Sequence, residues 1–453
     1  MRINIPKDVE YILSKLNEAG FEAYVVGGCV RDAILGAEPH DWDITTNARP
    51  EDVMGIFSHV IPSGLAFGTV SVHRNGEFYE VTTYRNDGRY SDGRHPDEVA
   101  YADTLQEDVH RRDLTINALA YNNKVGLVDY VGGLQDLNNG VIRFVGNARE
   151  RLNEDPLRAL RAVRFAARYN FSIDEETMGE CLSVFTERGN CVSPERVHEE
   201  FIKFFSGRKV ETVIDYTLLD LYVRLLAIAC PKLQELYGVS QYNPAHIYDL
   251  YNHTLHTLQY TTVYNDYILA MAAILHDIGK KRVKTIGDDG VEHFIQHPRE
   301  SVIVGRLVLA SLRFSKEETR KILFLVKNHD IFISGYRIHK VRKFLAGVDK
   351  EAVDRLILIK RADESAKNPA RANPADVDGL ETVFYDVMNE GTNITLKELD
   401  INGNDILAIG VNDVANIKEV LRECLDICYL KPENNNKAYL CNFASRLIIR
   451  KGY

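Results

Sequence analysis

The chain is poor in the features that mark secreted, membrane-spanning or nucleic-acid-coating proteins. Its seven cysteines, at 29, 181, 191, 230, 424, 428 and 441, are odd in number and form no CxxC pair. In a chain of 453 residues, too large to need disulfide staples, that usage points to a reducing cytoplasm. Long hydrophobic runs are missing as well: the longest, Tyr267 to Leu275, falls far short of the roughly 20 residues a membrane helix needs. The N-terminal stretch MRINIPKDVEYILSKL is amphipathic and contains acids, which fits neither a secretory signal nor a transit peptide. There is no excess of positive charge. The net charge of −10 argues against a general nucleic-acid coat, although it leaves room for an RNA enzyme that gathers its cations in one groove. No repeat and no low-complexity tract appears.

What is present divides into two patterns. Through about residue 140, short strand and helix signals alternate. Ala23–Val26 is a strand-like run ending at Gly27-Gly28, and a short helix after it stops at Gly36. Trp42–Thr45 has the makings of a second strand, and Asn75-Gly76 is a strong hairpin signal between Gly68–Val72 and Phe78–Tyr84. From Glu150 onward the periodicity is almost wholly helical. Ser193-Pro194-Glu195 is a good helix start, and polar breaks at 285–290, 367–375 and 431–437 mark turns.

Four chemical features follow one another in fixed order: Gly27-Gly28 before Arg31, Asp41-Trp42-Asp43, RRDLTINA at 111–118, and EDPLRALR at 154–161. Asp41 and Asp43, at i and i+2 on an expected strand, present both carboxylates from one face. Such a pair suits two Mg²⁺ ions about 4 Å apart, which activate a hydroxyl and neutralise leaving pyrophosphate. Glu80, on one strand face with Phe78, Thr82 and Tyr84, could supply a third acid. An isolated DxD is more often a solvated strand end, and a bare Gly-Gly an ordinary tight turn. Together they make a triphosphate cradle, with backbone amides approaching the ligand and Arg31 adding charge.

In EDPLRALRAVRFAARY, Arg158, Arg161, Arg164 and Arg168 recur at three- and four-residue steps opposite an apolar stripe. An Arg face of this kind is usually just solvated. Asp155 and Arg158, however, make an acceptor–donor fork: the carboxylate accepts from the exocyclic amine of cytosine or adenine while Arg donates to the neighbouring ring acceptor. Guanine and uracil present the opposite pattern. A side-chain pair can therefore choose C and A without a nucleic-acid template.

These runs, GGCVRDAILG…DWDITTNARP, RRDLTINA, GGLQDL and EDPLRALRAVRF, closely resemble the class II bacterial tRNA nucleotidyltransferases, the family of CCA-adding enzymes and poly(A) polymerases. The resemblance covers about residues 20–210. It implies an α+β chain: a polymerase-β-like nucleotidyltransferase head (1–140), then helical neck and body (141–245), HD region (246–366) and tail (367–453). By matched position it implies that Asp41 and Asp43 hold catalytic Mg²⁺, with Gly28, Arg31 and Arg112 at the nucleotide. Asp155 and Arg158 would read the base, and Arg161 and Arg164 would support them. The partners implied are tRNA, CTP and ATP, with no membrane. GGLQDL at 132–137 resembles the family's hinge and SPERVHEEFIK at 193–203 its neck helix, though a Gly turn and a capped structural helix explain them equally well. DGRYSDGRHPDEV at 87–99 resembles the mobile loop of full CCA-adding members.

A second set, His253, His276-Asp277, His297, His329 and Asp363, crosses the helical half. One buried His is most often a satisfied core residue, but six ligand-type residues in this order suit a divalent transition metal. NHTLHTL, LHDIGK, QHP, KNHD and RADES resemble the HD phosphohydrolases. That resemblance implies His253, His276, Asp277 and Asp363 as core ligands, with His297 and His329 completing a two-metal site. His256 would be peripheral. Hydroxide attack on a phosphomonoester or cyclic phosphodiester is the chemistry such a site offers.

The expected activity is CCA addition to tRNA 3′ ends in the cytoplasm. The rivals are a poly(A) polymerase, disfavoured by the absence of a strongly basic C-terminal extension, and a split enzyme adding only CC or only A. A different class would make the HD region the main enzyme and the head an RNA-binding module. A pure binding protein would leave both acid and ligand sets without a purpose.

Overall fold

The computed structural model describes residues 2–87, 99–207, 212–331 and 337–453. They fall into two compact units. The first takes the chain through Gln234 together with Thr262–Tyr267 and Ala310–Phe314; the second takes the remainder. The expected boundary at 245 therefore lies inside the second unit.

Among the described residues, nine strands belong to the head: β1 (Ala23–Val26), β2 (Ile44–Thr46), β3 (Val60–Gly64), β4 (Thr69–Arg74), β5 (Glu77–Thr83), β6 (Arg85–Asp87), β7 (Val99–Tyr101), β8 (Ala120–Asn122) and β9 (Gly126–Val128). Seven form a mixed sheet in the order β3-β4-β5-β2-β1-β8-β9, while β6 and β7 pair separately. Asn75 and Gly76 turn the β4–β5 hairpin with φ of 50° and 92°, the doubly left-handed turn that matches strand twist. Val26, Tyr84, Leu105, Val109 and Val145 pack into one buried cluster of this unit.

The second expected strand is displaced. It begins at Ile44, so Asp41, Trp42 and Asp43 precede it rather than lie within it. Asp43 nevertheless keeps a ladder contact: Val26 N–H donates to its carbonyl at 3.0 Å. The fork at Asp155 and Arg158 also lies across a break. Asp155 is the extended C-cap of the Ala148–Glu154 helix, and Arg158 opens the Arg158–Tyr169 helix after Pro156. Ser193 does cap the Pro194–Ser206 helix by position, with Pro194 at N1, but its hydroxyl makes no capping hydrogen bond. Residues 88–98 of the loop-like segment lie outside the described residues.

Among its described residues the second unit is helical apart from the short Thr285–Ile286 and Glu292–His293 hairpin. Ile268 through Leu275 are all buried, so the longest apolar run is a core helix enclosed on every side. The chain then turns through His276 and Asp277 to Gly279, where it meets the His297–Ser311 helix. A Cβ at Gly279 would lie 2.3 Å from Ser301 N, and Gly279 N–H donates to Ser301 Oγ at 2.9 Å. Only glycine allows that approach. Gly279→Ala should therefore lower the stability of this unit by about 1–3 kcal/mol, the usual penalty of overpacking, as read from its urea midpoint.

Candidate active sites

In the head, β1 runs antiparallel to β2 with Val25 opposite Ile44, and β2 runs parallel to β5 with Ile44 opposite Val81. One step earlier along both strands, Asp43 comes level with Glu80. Glu80 is exposed while its neighbour Val81 is buried, so the acid faces the open side of the sheet. Asp41, Asp43 and Glu80 line one cavity of about 700 Å³ together with Ser71. Asp43 also lines a second cavity of about 480 Å³ with Gly27, Gly28, Arg31 and Arg112. Deep placement among protein atoms pushes the Asp43 carboxyl above its ordinary range, against the pull of Arg112, and Glu80 and Asp41 push the same way. Three acids lining one cavity fit a divalent cation, although their oxygens do not all lie within the 4.8 Å span of a closed cluster.

Gly27 has φ +81°, and a Cβ there would meet Arg112 Nη1 at 3.2 Å, so the turn needs glycine for conformation and for room. The first amides of the Gly28–Ile34 helix have no intrahelical acceptor. Arg31 is buried; it donates to Asn117 and to Asp32 (3.0 and 3.1 Å) and stacks on Phe165 and Tyr169. Arg112 donates to Asp108 at 3.3 Å, and its Nε is buried without a partner.

The wall opposite differs from the sequence expectation in three respects. Asp155 is held by Arg196, in a two-pronged pair at 2.6 and 3.1 Å. Arg158 donates to Glu154 and to the Arg151 carbonyl at 2.9 Å. Arg164 does not line the cavity: it is buried and paired with Glu200 at 2.6 Å. Arg161 reaches Asp113 at 2.7 and 3.0 Å. Burial alone would raise the Asp113 carboxyl, but Arg161, helped by Arg158, drives it well below the usual range. Arg168 of the arginine face also lines the cavity, as do Arg111, Asp113, Asn117 and Arg196, which were not singled out as individuals. Arg111, Asp113 and Asn117 stood within the quoted RRDLTINA and Arg196 within SPERVHEEFIK. Nothing in spacing alone would have aimed Arg196 at Asp155, 41 residues earlier.

In the second unit all six expected ligands converge. His253, His276, Asp277 and Asp363 form one group with donor atoms within 4.8 Å, and Asp277, His297 and His329 form another. His253 Nε2 lies 3.1 Å from Asp363 Oδ1 and 3.3 Å from His276 Nε2; His297 Nε2 lies 3.1 Å from Asp277 Oδ1 and 3.2 Å from His329 Nε2. Each Nδ1 faces a backbone carbonyl: Ala366 (3.3 Å), Ala273 (2.8 Å), Phe294 (2.9 Å) and Val326 (2.8 Å) for His253, His276, His297 and His329. A nitrogen opposite a carbonyl carries the proton, which leaves the Nε2 lone pairs aimed inward, the orientation of metal-bound histidine. Asp277 Oδ1 is buried and accepts no well-aimed hydrogen bond. The set fits two divalent metals sharing Asp277. Lys280 lies 2.6 Å from Asp277 Oδ2, the oxygen that also faces His276 Nε2 at 3.2 Å, and Lys367 lies 2.9 Å from Asp363 Oδ2. His256 stacks on Tyr248, outside both groups. His246, unnoticed in the sequence, lines the cavity of about 730 Å³ that opens over the ligands.

Both sites are built from residue types suited to divalent metals, one beside a strand-to-helix turn and one among helices. Residues 23–143 match the poly A polymerase head domain and residues 250–368 the HD domain, both of them metal-dependent classes. Among curated relatives, the CCA-adding enzyme of Oceanobacillus iheyensis is 47% identical over 210 residues, 46% of this chain and 52% of that protein. That of Ligilactobacillus salivarius is 40% identical over 243 residues, 53% and 60% of the two chains. This chain thus spans about half the length of the curated relatives it matches. The solved CCA-adding enzyme of Bacillus stearothermophilus in complex with CTP superposes with a TM-score of 0.69 over 98% of both chains at 24% identity. The Thermotoga maritima enzyme complexed with tRNA gives 0.60 over 99% of this chain and 100% of that chain at 18% identity. The fold is that of CCA-adding enzymes: a polymerase-β-like head followed by helical regions.

Because Asp277 belongs to both HD groups, Asp277→Asn should weaken divalent-metal binding at each. The loss should exceed the roughly 10–100-fold that follows removal of a ligand's hydrogen-bond partner. His297→Ala should weaken only one. Metal content of the purified variants, by elemental analysis, checks both.

Proposed function

We propose that this chain adds CCA to tRNA 3′ ends from CTP and ATP, and that its HD centre hydrolyses phosphoesters. The observation that carries the first half is the single cavity in which Asp43, the Gly27-Gly28 turn and Asp155 meet. The turn and Arg112 hold the triphosphate, and Asp113 with Arg161 fixes the wall against which the base lies. Asp155, steadied by Arg196, accepts from the exocyclic amine of cytosine or adenine, and Arg158 donates to the adjacent ring atom. Asp41 and Asp43, with Glu80 beside them, hold Mg²⁺, which supplies charge neutralisation at the leaving pyrophosphate and lowers the pKa of the attacking hydroxyl. The tRNA is read by shape and backbone at the basic wall rather than by sequence.

For the HD centre the donor set of four imidazoles and two carboxylates favours a transition metal over Mg²⁺ or Ca²⁺. Burial would raise both carboxyls, but His276 and Lys280 hold Asp277, and Lys367 and His253 hold Asp363, well below the usual carboxylate range. We assign the head to 1–140, neck and body to 141–245, HD region to 246–366 and tail to 367–453. The cytoplasm is the compartment that suits seven unpaired cysteines, and no helix among the described residues is long and apolar enough to cross a membrane.

The test is extension of a tRNA ending before CCA, resolved at single-nucleotide length, with CTP, ATP and both together. Addition of C, C and A identifies the activity; an A-tract, or only CC or A, identifies a rival. Asp41→Ala and Asp43→Ala should each reduce kcat on the order of a thousandfold. Asp155→Asn should retain addition while losing about tenfold to a hundredfold of the preference for C over U. Unchanged incorporation by Asp41→Ala would move the main activity to the HD centre.

A further inference from the structure

Asp108 has no exposed surface, belongs to no motif singled out in the sequence, and carries five hydrogen bonds. It sits on the short Leu105–His110 helix, started by a reciprocal cap between Thr104 and Glu107. Its Oδ1 accepts from Arg111 Nε and Nη2 at 2.9 and 2.8 Å and from Arg85 N at 3.4 Å. Its Oδ2 accepts from Thr45 Oγ1 at 3.2 Å and from Arg112 Nη2 at 3.3 Å. One carboxylate therefore joins three parts of the head. Thr45 lies on β2, two residues after Asp43. Arg111 and Arg112 both line the nucleotide cavity. Arg85 opens β6.

We propose that Asp108 is a positioning residue for nucleotide binding, one that locks Arg112 between the Gly27 turn and Asp43 by tying it to the strand that follows the catalytic acids. This rests on the proposed transferase reading of the cavity. Arg112 Nη1 lies 3.2 Å from the place a Gly27 Cβ would take, so only a held guanidinium stays there while leaving the turn open to a triphosphate. Arg112 Nε has no partner of its own, which leaves Asp108 as the charged group that fixes the direction of this side chain among the contacts of the described residues. Held in advance, Arg112 gives up little freedom when nucleotide arrives; released, it must be ordered at the moment of binding. Because Asp108 acts on the phosphate side and not on Asp155, it sets affinity without setting base choice.

The experiment is steady-state kinetics of the full chain on a tRNA ending before CCA, at a temperature below the unfolding transition of every variant. Asp108→Asn keeps the shape but removes the charge. It should raise KM for CTP about tenfold or more, the worth of a charge-assisted hydrogen bond, with KM for tRNA and the C-over-U preference unchanged. Asp108→Glu should recover part of that loss. Thr45→Val leaves all charges in place and removes one of the hydrogen bonds that orient the carboxylate. It should shift KM for CTP in the same direction by a few-fold, and combining it with Asp108→Asn should add little. Should Asp108→Asn fail to fold, Thr45→Val carries the test. A CTP KM within twofold of the parent in every folded variant overturns the role, as does a loss confined to thermal stability. A parent chain that adds no nucleotide at all instead overturns the transferase reading.

Discussion

The hydrogen bond from Val26 N–H to the Asp43 carbonyl is the constraint on which the head site depends. It fixes the register of β1 against the segment leading into β2, and so sets Asp43 beside the Gly27-Gly28 turn that ends β1. Strand side chains alternate faces, so a slip of one residue would turn Asp43 away from the turn and part it from Glu80. The parallel pairing of β2 with β5 extends the same register to the third acid. Chemistry at this site is therefore a consequence of sheet geometry first and of residue type second.

Charge distribution supports that geometry. The chain is acidic overall, yet seven arginines (31, 111, 112, 158, 161, 168 and 196) line the smaller head cavity against three aspartates (43, 113 and 155). Nearly every one of these cations is paired: Arg161 with Asp113, Arg196 with Asp155, Arg111 and Arg112 with Asp108. Paired cations in a partly buried site hold direction better than free ones, and direction is what recognition of a planar base or a triphosphate requires. The HD centre solves a different problem. There four imidazoles turn Nε2 inward toward two buried carboxylates, each Nδ1 facing a backbone carbonyl, a donor set that fits divalent metals.

Much of this was legible in the letters, for reasons that differ by residue. The Asn75-Gly76 hairpin and the Gly27 turn were visible because positive φ selects glycine and asparagine. The six candidate HD ligands stood out by their order and their resemblance to the HD pattern, and the structure brings them together. Strand limits were less so: Trp42 and Asp43 resemble strand residues, and only the ladder shows that β2 starts at Ile44. The base-reading fork was drawn as a continuous helix at i and i+3, whereas Pro156 breaks it and Arg196, far along the chain, takes hold of Asp155. Arg164 looked equivalent to Arg161 by periodicity, but the partner waiting for it, Glu200, lies on another helix. Asp108 has Arg111 and Arg112 at i+3 and i+4, but its bonds to Thr45 and Arg85, which tie it to β2 and β6, form only once the sheet and helix are assembled. Pairwise contacts across long sequence separations are the part that spacing does not encode.

The most direct measurement is a structure of this chain with CTP and a divalent cation. The account predicts the triphosphate against Gly28 and Arg112, the cation at Asp41 and Asp43, and the cytosine amine within hydrogen-bond distance of Asp155. Nucleotide bound away from that cavity, or a cytosine ring whose amine faces no acid, would contradict it.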